Sequence, residues 1–114
     1  MINNYPKVEE IKQISEDEFV VNLLITPECD FFKGHFENQP VLPGVGQIDF
    51  AIKMASECFK ISKLEFRNMP QAKFKKVIAA NDDLELHLKK KAGTMSFEYR
   101  SNDMSMSSGK VKYA

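Results

Sequence analysis

Apolar and polar residues alternate along this chain in two rhythms, and the switch between them locates its elements. Glu18 to Thr26 (EFVVNLLIT) is apolar on both sides of a two-residue alternation, the pattern of a strand covered on both faces. Val8 to Ile14 repeats that period more faintly. From Val45 to Lys60 the rhythm becomes helical. Val45, Ile48, Ile52, Ala55 and Phe59 fall on one line, Ala51, Met54 and Cys58 widen it, and Asp49, Lys53, Ser56 and Lys60 form a narrow polar stripe. A helix apolar over so much of its circumference has to be almost enclosed. The two-residue period then returns in Lys63 to Met69, Ala72 to Ile78, Leu84 to Lys90, Met95 to Arg100 and Ser105 to Tyr113. Turn residues separate these strands at Asn81-Asp82-Asp83, Ala92-Gly93-Thr94 and Ser101-Asn102-Asp103. The elements predict one α+β domain over residues 1–114, a curled antiparallel sheet wrapped round one long central helix.

Composition supports that picture and narrows the setting. At 114 residues the chain has room for one domain with a real core and no need of disulfides or metal. Its 43% apolar and 28% charged residues are those of a globular protein and exclude a disordered one. No apolar run approaches a membrane span, and the start of the sequence lacks the basic and apolar regions of a secretory signal. Cys29 and Cys58 stand far apart with no CxxC spacing, so packed thiols in a reducing cytoplasm are expected. The net charge is zero, which gives no argument for nucleic acid. That zero hides an asymmetry: residues 1–50 carry three bases against nine acids, and the remainder thirteen against seven. Lys60, Lys63, Arg67, Lys73, Lys75 and Lys76 crowd one stretch opposed only by Glu65. Such a run is either a solvated face or a patch that docks an acidic partner.

Candidate chemistry sits in the long turn-rich stretch from Pro27 to Gly44, since loops of that length in small domains usually serve function. His35 lies beside Gly34 among Phe31, Phe32 and Phe36; fourteen residues later Asp49 falls in the first turn of the expected helix. Pro43-Gly44 ends the loop where backbone N–H groups at the helix start lack intrahelical partners. A base, an acid and donors aimed at developing negative charge are the parts needed to remove a proton beside a carbonyl. Each has a plainer reading: His35 as a packing residue, Asp49 as a favourable charge near the helix start paired with Lys53, Gly44 as a turn. Other motifs fail. Gly44-Val45-Gly46-Gln47-Ile48-Asp49 begins like a dinucleotide fingerprint, but a carboxylate stands where the third glycine belongs. Asp30, His35, Glu37 and His87 have no metal-ligand spacing, and nothing makes Cys29 and His35 a nucleophile and base.

Taken together, Gly34-His35-Phe36, Pro40-Val41-Leu42-Pro43-Gly44-Val45 and Asp49 resemble the 3-hydroxyacyl-acyl-carrier-protein dehydratases, the FabA/FabZ-like members of the hot-dog fold. Ala72-Lys73-Phe74-Lys75-Lys76-Val77 resembles the basic strand of that family. The resemblance implies that His35 takes the α-proton of a 3-hydroxyacyl thioester and that Asp49 holds or protonates the departing hydroxyl. It further implies that the Gly44 N–H polarises the thioester carbonyl and that Phe31, Phe32, Phe36 and Val45 line the acyl tunnel. It implies no cofactor, because the substrate rides the phosphopantetheine arm of acyl carrier protein, and a homodimer with shared sites. Arg67, Lys73 and Lys75 would meet the acidic carrier.

Three departures qualify the likeness. Lys53 stands where the family usually has glutamine, Ala80-Asn81-Asp82 replaces a Pro-Gly-Asp turn, and the N-terminal segment of the housekeeping enzymes is missing. A compact dehydratase of a secondary acyl or aryl-polyene pathway is therefore expected. The alternatives are a hot-dog thioesterase and a non-catalytic thioester-binding module in which Lys53 has disabled the acid.

Overall fold

The computed structural model describes residues 7–24, 44–62, 65–66, 71–76, 78 and 83–113. Alternating apolar residues build six strands: β1 (Lys7–Ser15), β2 (Glu18–Leu24), β3 (Gln71–Phe74), β4 (Asp83–Lys91), β5 (Thr94–Ser101) and β6 (Met104–Lys112). One helix, α1 (Gly44–Phe59), lies between β2 and β3 in the chain. The strands form one sheet in the order β1-β2-β4-β5-β6-β3, antiparallel at every pairing. Register sets the faces. Val21 pairs with Leu86, Leu86 with Tyr99 and Tyr99 with Ser107, so one row of side chains crosses the sheet towards the helix. Leu23, Leu84, Leu88, Met95, Phe97 and Val111 complete that buried face, against which Phe50, Ala51, Met54 and Ala55 of α1 pack. This is the hot-dog arrangement the sequence led us to expect. No helix among the described residues is long and apolar enough to cross a membrane.

Two turns and one helix end carry backbone strain of the expected kind. The β4–β5 hairpin turns on Ala92 (φ 48°) and Gly93 (φ 82°), and the β5–β6 hairpin on Asn102 (φ 51°) and Asp103 (φ 64°). Left-handed residues at both central positions match the twist of the flanking strands. At the end of α1, Lys60 turns left-handed (φ 58°) and the Ile61 N–H donates to the Ser56 carbonyl at 3.2 Å, closing the helix with a Schellman bond.

The structure departs from the sequence pattern in three places. Of the expected strand from Lys63 to Met69, the described part is Glu65 and Phe66: the Glu65 N–H turns back onto the Ser62 carbonyl at 2.9 Å, and Phe66 makes a single bridge to Tyr113. The strand expected to run to Ile78 stops at Phe74, because the N–H groups of Lys75 and Lys76 both turn onto the Met106 carbonyl, at 2.9 and 3.0 Å. The third departure concerns α1. Its deepest line runs through Gln47, Phe50, Ala51, Met54 and Ala55, while Ile48, Ile52 and Phe59 are only half-buried.

Candidate functional site

Asp49 is the described member of the expected catalytic pair. It is the sixth residue of α1 and is exposed, and the first turn contains no acid. The first-turn placement read from the sequence is thus corrected: the helix begins one residue earlier, at Gly44, and Asp49 stands in the second turn. At a rise of about 1.5 Å per residue it lies roughly 7 Å along the axis from Gly44, beyond the turn where the helix dipole acts most strongly. Its rotation about the axis follows from its neighbours. Gln47 points into the sheet, and two residues on is about 200° further round, so Asp49 looks away from the core.

Lys53, in the position flagged as a departure, is half-buried and places Nζ 2.7 Å from Glu57 Oε1. Its charge has that carboxylate as a partner whatever it does for Asp49. The field of Asp49 nevertheless reaches inward. Tyr99, wholly buried on β5, has its phenol pKa raised well above the ordinary value, first by burial and then by the negative charge of Asp49.

Gly44 opens α1, and its own N–H is among the four at the helix start that have no intrahelical acceptor. Val45 is the next residue. His35, Phe31, Phe32, Phe36 and Arg67 lie outside the described residues. Lys73 and Lys75 are both exposed. Lys73 pairs with Ser108 and stands on the outer face of the sheet, opposite α1, whereas Lys75 is past the end of β3 with Nζ 3.3 Å from Ser105 Oγ. A groove of about 720 Å³ runs over that outer face between Lys73, His87, Lys89, Glu98, Arg100 and Lys110. The sheet separates it from α1, and solvated charges line it, so it is not where an acyl chain would meet Asp49.

Sequence reasoning missed a second set of residues beneath the helix start. Gln47 is 3% exposed and Ser107 and Tyr99 are fully buried. The Ser107 hydroxyl donates to Gln47 Oε1 at 2.6 Å, and the Tyr99 hydroxyl donates to the Gln47 backbone carbonyl at 2.7 Å. The signal was available: Gln47 is a polar residue on the helical line of Phe50, Ala51 and Met54, and such a residue needs a buried partner.

The family model for ApeI-like proteins, described as ApeI dehydratase, matches residues 10–110. The chain is 34% identical over 89 residues to the 3-hydroxyacyl-(acyl-carrier-protein) dehydratase FabZ of Lactococcus lactis subsp. lactis, covering 72% of this chain and 61% of that protein. It is 32% identical over 105 residues to the FabZ of Streptococcus sanguinis, covering 82% of this chain and 74% of the relative. The solved dehydratase heterocomplex ApeI:P from Xenorhabdus doucetiae superposes with a TM-score of 0.79 at 28% identity, covering 94% of this chain and 96% of that one. With the family pattern running from β1 to β6 and the motif residues in their expected order, the chain belongs to the ApeI-like dehydratase family.

Proposed function

We propose that this chain removes water from a 3-hydroxyacyl thioester carried on acyl carrier protein, giving the trans-2-enoyl thioester. The observation that carries the reading is the match to dehydratases over residues 10–110, which includes Gly34-His35-Phe36, Pro40 to Val45 and Asp49. In this reading His35 accepts the α-proton, the electron pair left behind forms the carbon–carbon double bond, and the β C–O bond breaks. Asp49, exposed on the second turn of α1, orients the departing hydroxyl or delivers the proton with which it leaves as water. The N–H of Gly44 faces the thioester carbonyl, where negative charge gathers as the proton departs. Phe31, Phe32, Phe36 and Val45 line the acyl tunnel, and two copies of the chain share each site. Arg67, Lys73 and Lys75 receive the carrier. The description of the Xenorhabdus neighbour as a dehydratase heterocomplex supports the reaction.

Replacement of His35 or of Asp49 by alanine tests the reading, with hydration of a short enoyl thioester as the assay. Each should lower turnover by at least about a hundredfold, the scale set by a positioned acid or base. Mixing the two inactive proteins should restore part of the activity if the sites are shared. Full activity in a folded His35→Ala protein would sink the reaction assignment.

A further inference from the structure

The inner face of α1 poses a geometric problem. Below Gln47 the line in contact with the sheet is Phe50, Ala51, Met54 and Ala55, all at most 1% exposed. Phe50 is the one large knob in that line; Ala51 and Ala55 offer none, and methionine adapts to whatever shape it meets. Apolar contact dominated by small and adaptable side chains restrains the rotation of a helix less than directional bonds do, since cores lose uniqueness of packing before they lose stability. Rotation matters here, because Asp49 lies on the far side of the axis from the core. A turn of α1 by about 15° would carry a side-chain end some 6 Å from the axis through roughly 1.5 Å. Displacement by about 1 Å is enough to cost a reaction on the order of a hundredfold.

Two directional contacts on the buried face of the described helix converge on one residue. Ser107 on β6 grips the Gln47 side chain at 2.6 Å, and Tyr99 on the neighbouring β5 grips its backbone carbonyl at 2.7 Å. Ser107 and Tyr99 are paired across the sheet, so both donors rise from adjacent strands towards one helical position. A bond to the side chain and another to the main chain of the same residue oppose rotation as well as sliding. All three residues are buried, where a hydrogen bond is stronger and an unmade one more costly than in water. Gln47 is also two residues before Asp49, so rotation there passes to the acid without intervening flexibility.

We propose that Ser107 and Tyr99 set the rotation of α1 through Gln47 and thereby aim Asp49, which makes Gln47, Ser107 and Tyr99 positioning residues of the site. The activity readout of this proposal rests on the dehydratase reading above; its structural readout does not.

The test separates positioning from mere stability. Gln47→Met combined with Ser107→Ala removes both side-chain partners together, and replacing both by apolar groups of similar shape leaves stability near that of the parent. The rotation of α1 is read from residual dipolar couplings of its amides in weakly aligned, 15N-labelled protein, whose periodic variation along a helix reports its angle about the axis. The expected result is a double variant of near-parental Tm in which that periodic variation shifts by about 10° or more, or in which the helix amides broaden through exchange between rotations. Its kcat should fall at least about tenfold while KM changes by less than about threefold, as befits a loss felt in the transition state. Tyr99→Phe, which removes one hydroxyl, is measured alongside and should move both readouts in the same direction, so that a double variant unable to fold does not remove the test. An unchanged angle in the folded variants overturns the proposal, and so does a changed angle with parental kcat. If the parent protein itself dehydrates nothing, the dehydratase reading fails, and the helix angle alone decides whether Gln47 sets it.

Discussion

Gly109 is the point at which the sheet tolerates no side chain. It sits on β6 opposite Phe97 of β5 and Ala72 of β3, on the face turned towards the core. A Cβ added there would lie 2.6 Å from the Gln71 carbonyl oxygen, 2.6 Å from Cζ of Phe97 and 2.7 Å from its Cε2. Carbon atoms in contact prefer about 3.5–4.0 Å, so close to 1 Å has to be found on each side. The ring cannot supply it. Phe97 is 2% exposed and meets Tyr99 edge-on at 6.1 Å, and the Tyr99 hydroxyl is in turn fixed to Gln47. What yields is β3, a four-residue edge strand. Overpacking costs about 1–3 kcal/mol, and the stiffer unfolded chain of an alanine returns about 0.4–1 kcal/mol. Gly109→Ala should therefore lose about 1–2 kcal/mol, which at about 4–8 °C per kcal/mol in a domain near this size is a fall in Tm of roughly 4–16 °C. Calorimetry measures it, and trimming the ring by Phe97→Leu in the same chain should return part of the loss, an interaction of about 1 kcal/mol in a double-mutant cycle. A Gly109→Ala protein melting within about 2 °C of the parent, with no coupling to Phe97, would refute the steric argument.

Other perturbations read other parts of the molecule. Ala92 occupies a left-handed position that asparagine tolerates better, so Ala92→Asn should raise stability by about 0.5–1 kcal/mol, seen as a higher denaturant midpoint with unchanged slope. Tyr99 has its pKa raised in the folded state, so the unfolded chain gives up its phenolic proton first. Stability from this group is whole below about pH 10 and is lost as pH climbs beyond it. The stability gap between the parent and Tyr99→Phe should therefore narrow between pH 9 and pH 11, about one unit either side of the ordinary tyrosine value; a constant gap would show that the phenol does not ionise differently in the two states. Lys73→Glu with Lys75→Glu, both exposed, should lower kcat/KM for carrier-bound substrate, more so at low salt, and spare a thioester lacking the carrier. Equal loss on both substrates would place these lysines in the fold or the tunnel instead.

How much of this was legible in the sequence depended on how local the deciding physics is. The long strands declare themselves because alternation is enforced residue by residue: β4, β5 and β6 fall within a residue or two of their patterns. The helix was bounded within one residue at each end. Its contact line was not. Counting hydrophobic residues favours Val45, Ile48 and Ile52, yet the sheet takes the line through Gln47, because the residue that fills that place is polar and is satisfied by Ser107 and Tyr99 far along the chain. The early end of β3 is invisible for the same reason, since it is decided by the Met106 carbonyl. Of the site, Gly44 and Asp49 were legible through the motif: Gly44 opens α1, and the acid lies one residue deeper into the helix than expected, which puts it in the second turn. His35 lies outside the described residues.

The reach of the Gln47 contacts also says something about the order in which a working site can come into being. Its two partners are 52 and 60 residues further along the chain. Contacts so distant in sequence are entropically late, because a long loop must close before they return anything. A growing polypeptide will have released α1 well before β5 and β6 exist to receive it. During that interval a helix with a wide apolar face has no concave sheet to enter, which is the exposure that invites association with other chains. Synthesis at about 5–20 residues per second makes the wait several seconds long. The acid of the proposed site is thus translated early and placed late, and conditions that slow synthesis of the second half of the chain should reduce the yield of native protein more than equal delays in the first.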